Sequence, residues 1–348
     1  MHVPCICVRA DASRSIGSGH VMRCLVLADR LRLATGARIA FLCRELEGNL
    51  IAYIRARGYE VGVLPGEAAS PAAEAEWTIE WLATRNGRRR PDWLIVDHYG
   101  LDWRYEQHVR PHVQQLMVID DLANRAHDCD VLLDANLGPE QRYFHLVGPG
   151  TRLLLGPQYA LLRKEFAALR PRVRRDGRAR QLLVSFGGVD PSGETAKTLD
   201  ALAQLAEHDW TATVVAGQSN PRARLLEQRC AGMQNVRFIM HTEQMAQLML
   251  EADLAIGAGG SSTWERCCLG LPSLVITVAG NQEALTEAAA SAGVVRWLGP
   301  SSAVGPGHIR DAVLTLGRNP AEMHQMSARA MGLVDGRGAE RIAKELVR

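Results

Sequence analysis

Val3-Pro4-Cys5-Ile6-Cys7-Val8 leads through Arg9-Ala10-Asp11 into Gly17-Ser18-Gly19-His20-Val21-Met22-Arg23. The first run is short and apolar and reads as a β-strand. The segment 20–33 that follows the glycines reads as a helix. Glycines at the join let backbone N–H groups turn toward a ligand. The helix start adds unpaired donors and positive dipole character. A histidine there sets a titratable nitrogen beside an anion site, the arrangement expected of an enzyme handling a phosphorylated substrate.

Working outward, the same strand–turn–helix unit recurs. Residues 3–8, 38–43, 60–64, 93–97, 116–120 and 131–133 are strand-like. Helical candidates lie between them at 22–33, 48–57, 72–84 and 105–114. The second half repeats the alternation, with strands expected at 181–186, 211–216, 236–240, 254–257, 273–278 and 294–297. Strands alternating with helices predict parallel, doubly wound α/β sheets covered on both faces. A chain of 348 residues suits two such domains. The expected division is 1–162, a basic linker at 163–180 containing Pro171 and Gly177, and 181–348. Sheets of this kind bind ligands outside the carboxyl ends of their strands, so an interdomain cleft is expected to hold the site. The segment 70–91 is left unplaced apart from its helical stretch.

Composition narrows the class. Apolar residues make up 47% and charged residues 22%, as in a soluble globular protein. A net charge of +2, with no basic face interleaved with aromatics, gives no reason to expect nucleic-acid binding. No run approaches the ~18 apolar residues of a membrane span, and no secretory signal is read. The eight cysteines lack C-x-x-C spacing and are read as reduced and mostly buried in a cytoplasmic protein. No cofactor is expected, and a monomer is the expected state.

Gly17-x-Gly19 is not a dinucleotide fingerprint, since the third glycine of that pattern would fall at Met22, and no G-K-[ST] phosphate loop occurs. His20 is the candidate general base. A helix start disfavours imidazolium, so the ring is expected to be neutral and able to accept a proton near pH 7. The alternative is a histidine that caps its own helix. Asp11 is a candidate to orient the ring, with an ion pair to Arg14 or Arg23 as the alternative. Asp97-His98-Tyr99 and Asp120-Asp121 end two strands. Paired acids invite a metal, but no second ligand cluster supports one, and none is expected.

A second glycine turn, Leu254-Ala-Ile-Gly257-Ala-Gly259-Gly260-Ser261-Ser262-Thr263-Trp264-Glu265, follows a buried strand. Backbone amides and the hydroxyls of Ser261 and Ser262 can cradle a diphosphate there. Glu265 can accept both hydroxyls of a ribose, or simply complement the helix dipole. Past the next strand, Asn281 and Gln282 are candidates to bind sugar hydroxyl or acetamido groups, with a plain turn as the alternative for Asn281. Ser185-Phe186-Gly187-Gly188 is a weaker cleft-lining candidate. With the diphosphate expected at 259–263, the first loop is expected to clear room for sugar and water beside His20.

These blocks resemble a family. Arg9-Ala-Asp11 through Ile16-Gly17-Ser-Gly19-His20-Val-Met-Arg23 resembles the start of the UDP-2,4-diacetamido-2,4,6-trideoxy-β-L-altropyranose hydrolases of pseudaminic acid biosynthesis. So do Val96-Asp97-His98-Tyr99, Gly156-Pro157-Gln158-Tyr159-Ala160-Leu161-Leu162, Gly259-Gly260-Ser261-Ser262-Thr263-Trp264-Glu265 and the closing Asp335-Gly336-Arg337-Gly338-Ala339. The resemblance implies a GT-B fold of two Rossmann-like domains, shared with the UDP-N-acetylglucosamine transferase of peptidoglycan synthesis. It also implies a last helix that crosses back to the first domain. By the same resemblance His20 is the catalytic residue, Glu265 the ribose acid and Asn281 a substrate contact, with metal-independent hydrolysis of a UDP-sugar. A pathway feeding flagellin glycosylation follows from it too. Rivals are a glycosyltransferase of the same fold, a hydrolysing sugar-nucleotide 2-epimerase, and a non-catalytic UDP-sugar-binding subunit.

Overall fold

A computed structural model describes residues 3–66, 70–85, 89–205 and 210–347. The chain divides into two compact units, Met1–Leu161 with Arg337–Arg348, and Leu162–Gly336. The structure and core of each unit follow from its strand runs.

In the first unit seven parallel strands form one sheet: β1 (Cys5–Ala10), β2 (Arg38–Arg44), β3 (Glu60–Leu64), β4 (Trp93–Asp97), β5 (Gln115–Ile119), β6 (Val131–Asp134) and β7 (Arg152–Leu155). Their order is β3-β2-β1-β4-β5-β6-β7. All five residues of β4 and all four of β6 are buried, as a parallel sheet covered on both faces requires. β7 is absent from the strands read off the sequence. Arg152-Leu-Leu-Leu holds no β-branched or aromatic residue, the enrichment that marks a strand.

The helix Gly19–Thr35 covers one face of this sheet with Val21, Cys24, Leu25, Ala28 and Leu31. These positions recur at the three-to-four-residue spacing of one helical face. Burying each of the two leucines contributes roughly 1.5–3 kcal/mol. The helix stops at Gly36, whose left-handed φ of 68° lets its N–H bond Arg32 O. The closing helix Gly338–Val347 belongs to this unit and packs against Gly19–Thr35, placing Ile342, Ala343 and Leu346 in the same core. At Gly338 the chain passes close to its own backbone: a Cβ there would stand 2.3 Å from Ala160 O.

In the second unit β8 (Gln181–Ser185), β9 (Thr211–Ala216), β10 (Val236–Met240), β11 (Leu254–Ala258), β12 (Ser273–Thr277) and β13 (Arg296–Pro300) run in the order β10-β9-β8-β11-β12-β13. Every pairing is parallel. The basic segment read as a linker is packed into this unit. It contains the helix Lys164–Leu169 with Phe166 buried. Arg170 donates to Cys268 O, Met331 O and Val334 O, and Arg175 to Met249 O, Leu269 O and Gly270 O. Guanidinium groups are cations that satisfy helix-terminal carbonyls, so the charges of Arg170 and Arg175 are spent on helix C-termini, while Arg172, Arg174 and Arg178 stay exposed.

Both sheets change direction at one place. In the first, β1 runs outward through β2 and β3 while β4 sits on its other side. In the second, β8 has β9 on one side and β11 on the other. Loops leaving adjacent strands at such a point diverge and open a crevice. The loops after β1 and β4, and those after β8 and β11, are therefore the positions where each unit is shaped for a ligand.

Candidate active site

His20 lies one residue into its helix, after the loop from β1, and Asp97 is the last residue of β4. The β1–β4 switch point brings them together. His20 Nδ1 is 2.6 Å from Asp97 Oδ1, and the two side chains are 8% and 0% exposed. Arg23, one helical turn on, donates from Nε to Asp97 Oδ2 and from Nη2 to Asp97 Oδ1, both at 2.6 Å. Its Nη1 donates to Asp121 at 2.8 Å. Burial alone would push the Asp97 carboxyl up. The charge of Arg23, with the hydrogen bonds from Arg23 and His20, outweighs it and holds the group well below the usual carboxylate range. An ionised Asp97 accepts, so in the neutral ring the proton belongs on Nδ1 and the lone pair on Nε2. Tyr99 meets the imidazole edge-on at 4.6 Å.

Asp97 is thus the residue that orients His20, and Asp11 does not. Asp11 takes two hydrogen bonds from Arg9 at 2.6 Å and one from the Arg44 amide at 2.8 Å. Arg9, fully buried, also donates to Glu74, which Arg44 pairs as well. This buried network ties the helix Pro71–Arg85 to the ends of β1 and β2. A buried carboxylate needs full pairing, and the adjacent arginine satisfies it first. Arg14 pairs with Glu47, with both side chains more than two-thirds exposed, and does not reach His20. Asp120 and Asp121 turn to different partners, Arg125 and Arg23. Among the described residues no group of three or more His, Cys, Asp or Glu is placed to hold a metal ion.

The glycines are open where a side chain would intrude. A Cβ on Gly17 or Gly19 would meet nothing within 4 Å, so neither is glycine for packing reasons. Gly17 has φ 82°, which strains any other residue. Ser18 makes no side-chain cap, leaving the helix start uncapped.

In the second unit, β11 ends at Ala258 and the chain turns through Gly259 and Gly260 into the helix Ser262–Cys268. Gly260 has φ 95°. At Gly259 a Cβ would stand 2.6 Å from Thr286 Oγ1 and 3.1 Å from Gln282 Cβ, so the turn is packed tightly against the segment after β12. Gln282 itself accepts from the Val278 amide at 3.1 Å, and Asn281 is exposed beside it. Glu265 is partly exposed, with Arg163 Nη2 3.9 Å away. Burial pushes its carboxyl up from the ordinary value, and Arg163 and Arg266 pull it partly back. After β8, Gly187 has φ 83°, and Asp190 accepts from the Glu194 and Thr195 amides at the start of the next helix.

Asp97 could have been found as an acid ending a strand, but its partner lies 77 residues away. Seven of the eight thiols are buried and Cys5 is half-buried. Burial pushes Cys267 and Cys268 up to about 12, which leaves them as poor nucleophiles. No helix among the described residues is long and apolar enough to cross a membrane.

Two Rossmann-like units, each with a glycine turn at its switch point, define a GT-B protein. Residues 194–345 match the glycosyltransferase family 28 C-terminal domain. The chain is similar to the UDP-2,4-diacetamido-2,4,6-trideoxy-beta-L-altropyranose hydrolase of Campylobacter jejuni, 26% identical over 278 residues that cover 79% of this chain and 92% of that protein. That match shows the resemblance expected from the motifs. It is also similar to an uncharacterized protein of Methanocaldococcus jannaschii, 27% identical over 281 residues, 78% of this chain and 55% of that protein. The chain thus spans about half the length of that relative. The structure of MurG from Acinetobacter baumannii matches with a TM-score of 0.70, 13% identity and 99% of both chains covered, a likeness of fold.

Proposed function

We propose that this chain hydrolyses a UDP-sugar at the anomeric carbon, the sugar being the 2,4-diacetamido-2,4,6-trideoxy-altropyranose named for the Campylobacter relative. The observation that carries the reading is the Asp97–His20 pair with its Nε2 lone pair beside an uncrowded glycine loop. His20 Nε2 takes a proton from water as the oxygen attacks the anomeric carbon. The bond from that carbon to the β-phosphate oxygen breaks, UDP departs with the electron pair, and the centre inverts. Asp97 stabilises the imidazolium that forms. The turn at 259–262 receives the diphosphate, Glu265 the ribose, and Asn281 and Gln282 the acyl-amino sugar. Backbone amides and hydroxyls there stabilise charge growing on the leaving group.

The test is incubation of the full chain with that UDP-sugar in ¹⁸O-water. Label in the free sugar, released with no acceptor present, is the expected result, and label in the nucleotide would refute carbon–oxygen cleavage. The family 28 match favours one second reading, a glycosyltransferase in which His20 activates an acceptor hydroxyl. It predicts UDP release only when an acceptor is added.

Glu265 gives this reading a pH signature. Its carboxyl is raised, so its ionised form is lost at a higher pH than an ordinary Glu would show as the solution is acidified. UDP affinity should weaken as pH falls through that point. Glu265→Gln should bind UDP roughly tenfold more weakly near neutrality, as expected for one charged hydrogen-bonding group, and should lose that acid limb. Titrating UDP by calorimetry between pH 4.5 and 8 checks both, and an identical pH profile in the variant would remove Glu265 from the ribose site.

A further inference from the structure

Arg266 is buried, and among the described residues no carboxylate lies within ion-pair distance of it; Glu265, its neighbour in the chain, acts on it only as a charge at longer range. Arg266 follows Glu265 on the helix Ser262–Cys268 and is 3% exposed. Its three acceptors are neutral: Nη1 donates to Ser262 Oγ at 3.2 Å, and Nη2 to Ala258 O at 2.9 Å and Thr263 Oγ1 at 3.1 Å. Nε has no partner, and among the described residues Arg266 makes no ion pair. Room for the guanidinium comes from Gly257, where a Cβ would stand 3.2 Å from Arg266 Nη1 and 2.6 Å from Ser185 O. Gly257 pairs with Ser185 across β11 and β8, so the charge lies at the carboxyl ends of the two strands that flank the switch point.

A buried charge is expensive without an opposite charge: Arg9 is given carboxylates, whereas Arg175 is satisfied by the backbone carbonyls of helix ends. Arg266 instead bonds three groups of the 258–263 turn from beneath. Burial pushes its pKa down, to about 10, which leaves it protonated at neutral pH.

We propose that Arg266 is a positioning residue whose fixed positive charge sets the affinity of the 258–263 turn for the diphosphate of the nucleotide. It does so through Ser262, whose hydroxyl oxygen accepts from the guanidinium and so turns its O–H bond outward as a donor, while buried Thr263 is held from beneath. The diphosphate then brings negative charge to a guanidinium that no carboxylate of the described residues hydrogen-bonds. This rests on the UDP-sugar reading and deepens it.

A ligand series separates charge from fold. Calorimetry of the full chain with uridine, UMP and UDP is compared for wild type, Arg266→Met, Arg266→Gln and Arg266→Lys, each with its Tm from circular dichroism. Arg266→Met and Arg266→Gln should weaken UDP by at least about tenfold, UMP by less, and uridine by no more than about twofold. Arg266→Lys, which keeps the charge, should recover most of the UDP preference. Equal losses for all three ligands would overturn the proposal and make Arg266 a packing residue. Arg266→Gln and Arg266→Lys, which retain hydrogen-bond donors, keep the comparison available if the methionine variant does not fold. Wild type that binds uridine and UDP equally weakly would overturn the UDP-sugar reading itself.

Discussion

His20→Ala should lower turnover of the UDP-sugar by at least ~10²–10⁴, the usual worth of a positioned general base. UDP affinity should remain within a few-fold of wild type, because the groups proposed for the nucleotide all lie in Leu162–Gly336 and His20 lies in the other unit. The fold should survive, since the ring is held by hydrogen bonds at a loop–helix join and contributes no large apolar surface to the first core. Steady-state kinetics with a UDP-release assay, alongside calorimetry, would separate the two effects. Undiminished turnover in this variant would end the assignment of His20 as the base.

Asp97→Asn should produce a loss of the same order in kcat for a different reason. The carboxylate uses both oxygens, Oδ1 for His20 Nδ1 and Arg23 Nη2, and Oδ2 for Arg23 Nε. An amide offers one oxygen. If its NH₂ faces Arg23 Nε, two donors collide. If it faces His20, Nδ1 must accept, and the proton moves to Nε2, the atom that has to receive a proton from water. In the serine-hydrolase triad that tautomer error costs about 10⁴ in kcat. Stability should also fall, because Arg23 keeps only Asp121 as a charged partner, and breaking a buried ion pair costs about 3–5 kcal/mol before such compensation. The folded-state pKa of Asp97 is depressed, so its contribution is fully present above the ordinary carboxylate range and fades only as pH falls below that range. The variant should therefore melt well below wild type at pH 7, with the gap narrowing in strong acid. Combining it with His20→Ala should cost kcat little beyond His20→Ala alone, since the two act as a unit. Wild-type kcat in Asp97→Asn would remove the dyad from the reaction.

Much of the fold was legible because its signals are local. Runs such as Trp93-Leu-Ile-Val and Leu254-Ala-Ile mark strands buried on both faces, and Gly17, Gly187 and Gly260 mark turns that need φ above zero. β7 is not legible because Arg152-Leu-Leu-Leu lacks the β-branched and aromatic residues that mark a strand. The basic segment 163–180 was misread because composition reports charge and says nothing of the acceptors it meets. Arg170 finds carbonyl groups 98 to 164 residues away.

The site divides along the same line. His20, Glu265, Asn281 and Gln282 stand out by their place after glycine turns, so the alternating pattern and those turns alone determined a two-unit α/β protein with a histidine in one glycine loop and an acid beside another. Which carboxylate serves His20 was decided only by tertiary structure. Asp11 is nine residues from it in the chain and is consumed by Arg9, whereas Asp97 is distant in sequence and adjacent in space because β1 and β4 pair in parallel, aligning Ala10 with Asp97. Parallel pairing is made by crossover connections, and nothing in the local spacing of residues records which strand ends up beside which.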